Sequence, residues 1–96
     1  MGQKVVVTTE ASIALKPLLE SAIRSELRLL ELGLTRTSQR LRFFEDQHGS
    51  PSEEFERRFT TGELGESLDY IEWAGEIKTY HLLKAQKQAL QNARLH

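Results

Sequence analysis

Cysteine is absent from this 96-residue chain, which excludes a disulfide framework, a thiolate metal site and thiol redox chemistry. Proline occurs only at Pro17 and Pro51, each placed to punctuate a helix. An excess of charge of one sign is also lacking. Thirteen Lys and Arg stand against 14 Asp and Glu for a net of −1, which offers no global attraction to nucleic acid or an anionic membrane. No stretch approaches the roughly 20 apolar residues of a membrane span, and Met1–Lys16 has no apolar leader core. Glycine-rich phosphate loops, nucleophile elbows and Ser/His/Asp arrangements are missing as well. The expectation is a cytoplasmic protein that is not an enzyme and needs no cofactor.

A single domain over residues 1–96 is short. A compact domain of this size buries only about 60–68% of the surface its unfolded chain exposes, which points to a homo-oligomer, a dimer, or an obligate complex.

What the chain does have is helical periodicity. Ile23, Leu27, Leu30, Leu34, Thr37, Leu41, Phe44 and His48 recur in steps of three and four and form one apolar seam. The seam keeps its phase through Gly33. A break over Leu32–Thr37 is the competing reading, since glycine costs a helix about 1 kcal/mol relative to alanine. Thr9 or Ser12 could cap a helix, but Pro17 disfavours helical geometry at Lys16, so the continuous version predicts one regular helix over residues 17–47, with a kinked first turn before it as the alternative, a rod of about 45 Å at about 1.5 Å per residue. Its stripe exceeds what so short a chain can cover, so a partner is expected along it.

Before this helix, Lys4–Thr9 is β-branched and reads as one short N-terminal strand within residues 1–10, or as an extended arm. After it, Gly49 suits the left-handed residue that ends a helix. Ser50 with Glu53 has capping-box spacing, and Pro51 fits the first position of a short helix over residues 51–60 that shows Phe55 and Phe59 on one face. Ser67 can cap a third helix within residues 67–92. Its broad apolar face carries Tyr70, Trp73, Ala74, Ile77, Tyr80 and Leu83, with Ile71, Leu82 and Ala85 beside them. The fold class is thus mainly α, a long helical hairpin with a short corner helix. Phe55 and Phe59 should plug the corner while Leu41, Phe43 and Phe44 face Tyr70, Ile71 and Trp73. The Pro17–Leu34 half should face the thinner Lys84–Leu95 end.

Chemical motifs are sparse. Glu45 and His48 have the E-x-x-H spacing of di-iron bundles, but such sites use the motif twice, and only one copy exists here. Glu53 with Glu54, and Glu72 with Glu76, read as solvated helix faces. Lys4, Arg24, Arg28, Arg36 and Arg40, with Arg42, are candidate contacts to nucleic acid or an acidic partner, diluted by Glu20 and Glu31. A strand followed by helices invites comparison with ribbon-helix-helix regulators, yet valine reads base edges poorly and the first helix is too long.

The stretch Glu26–Ile77 resembles a group of small bacterial and archaeal antitoxin-like proteins, whose pattern runs E-x-x-L-L-x-x-G-[IL]-x-x-T, a Phe-Glu pair, Gly-Ser-x-x-x-F and G-E-L-G-x-x-x-D-x-x-E-W. Glu26, Leu29, Leu30, Gly33, Leu34, Thr37, Phe44, Glu45, Gly49, Phe55, Phe59, Gly62–Gly65, Asp69, Glu72 and Trp73 carry it, over more than half of the chain, with Phe55 standing one residue later than the Gly-Ser-x-x-x-F spacing. The resemblance implies that the chain neutralises a co-encoded toxin of the TumE-like or PIN-type ribonuclease class by laying helical surface across it. The expected interface residues are Ile23, Leu27, Leu30, Leu34, Leu41, Phe44, Tyr70, Trp73 and Ile77. A DNA-binding regulator with a β-ribbon and a self-assembling coiled-coil scaffold are the alternatives.

Overall fold

The computed structural model describes residues 9–93, with side chains from Leu15 onward. Three helices follow one another: α1 over Thr9–His48, α2 over Ser52–Thr60 and α3 over Leu68–Asn92. α1 and α3 form an antiparallel hairpin, and α2 fills its corner. The molecule measures 60 × 27 × 21 Å, the long dimension matching a 40-residue helix at about 1.5 Å per residue.

α1 runs through Gly33 as one helix. Gly33 serves the packing between helices: a Cβ there would lie 3.1 Å from Leu83 Cδ1, so the missing side chain lets α3 approach closely. Thr37, buried one turn on, donates its hydroxyl hydrogen to the Gly33 carbonyl at 2.8 Å and so enters an apolar seam without leaving a polar atom unpaired. Of the two starts the sequence offers, the earlier is seen: α1 is helical from Thr9, and Pro17 lies inside it. Pro17 is exposed. The strand expected over Lys4–Thr9 lies outside the described residues except for Thr9, which is the first residue of α1; among the described residues there is no strand.

The corner is built as its turn residues require, with one exception. Gly49 takes φ +64°, and the backbone N–H groups of Gly49 and Ser50 both donate to the Glu45 carbonyl, at 2.8 and 3.2 Å. The Ser50–Glu53 capping box does not form. Pro51 occupies the cap position without a side-chain bond, and the Ser52 N–H is instead taken at 2.9 Å by the Glu45 carboxylate from the preceding helix. That long-range acceptor does the work a local serine was expected to do. Ser67 caps α3 as its position predicts, accepting from the Tyr70 N–H at 3.1 Å.

Phe44, Phe55, Trp73 and Ile77 form the buried core, flanked by Leu41, Phe59, Leu64, Tyr70 and Ala74. Phe55 lies parallel to Trp73 with ring centroids 3.9 Å apart, and Phe44 stacks on Trp73 at 5.8 Å. Phe43 and Ile71, expected in this corner, are half exposed, and Leu82 and Ala85 also face water. Each of Phe43, Ile71 and Leu82 is one residue off its helix's buried line, a turn of about 100° that carries it out of the contact.

Candidate partner-binding surface

The register of the hairpin follows from its cross-helix pairs. Glu31 meets Lys87 at 3.5 Å, Arg40 meets Glu76 at 3.5 Å, and His48 Nε2 lies 3.4 Å from Asp69. α3 ends at Asn92, so its last turn lies about level with Glu26 of α1. From Thr9 to that point α1 projects about 25 Å past the described end of α3. Lys84–Asn92 therefore lies against the middle of α1.

The projecting segment is apolar on one side. Leu15, Leu18, Leu19, Ala22 and Ile23 recur at three and four residues, and Leu18 and Leu19 are 63% and 45% exposed. Farther along, Leu29, Leu32 and Phe43 are exposed on a line shared with Leu18. Leu18 to Leu29 and Leu32 to Phe43 are each eleven residues, close to three helical turns. That spacing was available in the sequence, but it is masked by the stronger seam on the other face.

Four of the nine expected interface residues are buried within the chain itself and five are half-buried. Leu30, Phe44, Trp73 and Ile77 are buried by packing within the chain. Leu34, Leu41 and Tyr70 are half-buried along the hairpin, and Ile23 and Leu27 are half-buried near the end of α3's reach. Arg24, Arg28 and Arg36 are exposed. Arg40 is partly committed: it pairs with Glu76, and its guanidinium lies 5.1 Å from the Phe44 ring centroid. Lys4 lies outside the described residues.

The polar groups of the corner are structural in use. The Trp73 indole N–H donates to Ser52 Oγ at 2.9 Å, and Ser52 is held in turn by Glu45, forming a relay across all three helices. His48 stacks on Trp73 at 5.4 Å rather than turning with Glu45 toward a shared metal position. On α2, Arg57 reaches Glu54 at 2.6 Å, and this bond holds the Glu54 carboxyl below the usual range while raising the Arg57 guanidinium.

Among the described residues, one groove lies between α1 and α3 and a second lies where α2 joins them. One, of about 560 Å³, is bordered by Arg42, Lys84 and Lys87 with Ser38 and Tyr80. The other, of about 240 Å³, continues it toward the corner, sharing Ser38, Arg42 and Tyr80, and carries Glu45, Glu53 and Glu56. No family model, curated protein or solved structure matches this chain.

Proposed function

We propose that this chain is an antitoxin-like interaction protein that binds and neutralises a co-encoded toxin, docking it on the projecting N-terminal part of α1. One observation carries the reading: Leu18 and Leu19 stand exposed on a helical stripe that no described residue of α3 reaches. An apolar helix face that no other described residue covers is the surface that helix-in-groove recognition uses. The resemblance of Glu26–Trp73 to small antitoxins supports the choice of partner class, with a ribonuclease as the expected target. Arg24, Arg28 and Arg36 are exposed on the same helix and suit an acidic rim around the docked face.

Co-expression with the product of the neighbouring gene, followed by size exclusion, tests the proposal. Co-elution at micromolar concentration is expected for the native chain and should be lost in Leu18→Asp/Leu19→Asp. Separate elution of the two native proteins would overturn it. A chain that instead runs alone at twice its monomer mass, and returns to monomer in the same double variant, would assign the stripe to a second copy. Retardation of the chain's own promoter fragment at low salt by the chain alone would favour the regulator reading.

A further inference from the structure

The geometry points to the basic groove between α1 and α3 as a binding site for an acidic peptide segment, separate from the projecting end of α1. Arg42, Lys84 and Lys87 line it, and no carboxylate borders it. Among the described residues, Arg42 and Lys84 have no carboxylate within 4 Å, while Lys87 holds Glu31 at 3.5 Å. Three cations gathered in one concave strip of a chain with net charge −1 form a local positive field that the overall composition hides. Ser38, Gln39, Gln88 and Gln91 add hydrogen-bonding groups along the same walls.

The charge pattern selects a peptide over a nucleic acid. Toward the corner the groove turns acidic, with Glu45, Glu53 and Glu56 bordering its continuation. A nucleic acid strand carries a phosphate at every residue and would run its charge into those carboxylates, whereas a peptide can confine its acidic residues to one stretch. The one aromatic ring of the groove, Tyr80, has the Lys84 ammonium 5.8 Å from its centroid, which competes with base stacking. The seat is also open in the right place. α2 covers the hairpin only at its corner, and the basic strip is where that layer stops.

Fluorescence anisotropy with a labelled peptide of four glutamates followed by four alanines tests the site on the full chain. Saturable binding at low salt is expected, weakening as ionic strength rises. Arg42→Glu/Lys84→Glu should weaken it at least about tenfold, and Arg42→Gln/Lys84→Gln should weaken it less, with circular dichroism and melting unchanged because both residues are exposed. Leu18→Asp/Leu19→Asp should leave peptide binding intact, so the groove and the proposed toxin surface fail or succeed separately. Absence of peptide binding, binding indifferent to both groove variants, or tighter binding of an oligothymidylate of equal charge would overturn the inference.

Discussion

The Trp73 indole N–H donates to Ser52 Oγ across a corner in which both residues are buried, and the same serine's backbone N–H is capped by Glu45. One side chain of α1, the first residue of α2 and the largest side chain of α3 are thereby tied into a single polar relay inside an aromatic core. Buried side-chain polar atoms without partners are absent among the described residues, so the relay is complete. Completeness matters because a half-satisfied buried network is costlier than an apolar one.

Ser52→Ala should therefore leave the Trp73 N–H buried and unpaired. A loss of about 1–3 kcal/mol is expected in urea unfolding followed by the fluorescence of this single tryptophan. Glu45→Ala, which removes only the cap on Ser52, should cost less, about 0.5–2 kcal/mol.

Phe43 and Phe44 are neighbours in sequence with opposite fates, 53% and 1% exposed. Phe44→Ala should destabilise by about 3–5 kcal/mol, enough to unfold much of so small a domain, and Phe44→Leu gives a milder version. Phe43→Ala should change stability by no more than about 0.5 kcal/mol. Thermal melts by circular dichroism separate the two, and equal losses would mean that the seam is out of phase.

Gly33 and Leu83 share one space. Gly33→Leu should cost about 1–3 kcal/mol through overpacking, and adding Leu83→Ala should recover part of that loss. A double-mutant cycle by denaturant unfolding measures the coupling. Strictly additive losses would show that the helices do not meet there.

Gly49 and Gly75 make a contrasting pair. Gly49 holds φ +64°, so Gly49→Ala should destabilise by about 1–2 kcal/mol even though nothing lies near its missing Cβ. Gly75 is an exposed residue inside α3 with open space around it, so Gly75→Ala should stabilise by about 0.5–1 kcal/mol. Melting temperatures of the two variants should move in opposite directions.

The sequence by itself determined what depends on neighbours along the chain. Helix formers and the three-and-four seam set one rod through Gly33, Gly49 marked its end, and Ser67 marked the start of α3, because these choices rest on local backbone conformation and capping. Local rules left two starts open at Pro17, where a helix already under way passes through the proline, and they failed at Ser50, where a carboxylate seven residues before Ser52 displaced the local cap. Only the tertiary structure decided how far α3 reaches along α1, and hence which part of the apolar seam is covered and which stripe is left standing. It also decided which scattered cations meet in one groove. Both depend on the register between helices, which the packing of Phe44, Phe55 and Trp73 at the corner establishes between residues far apart in the chain.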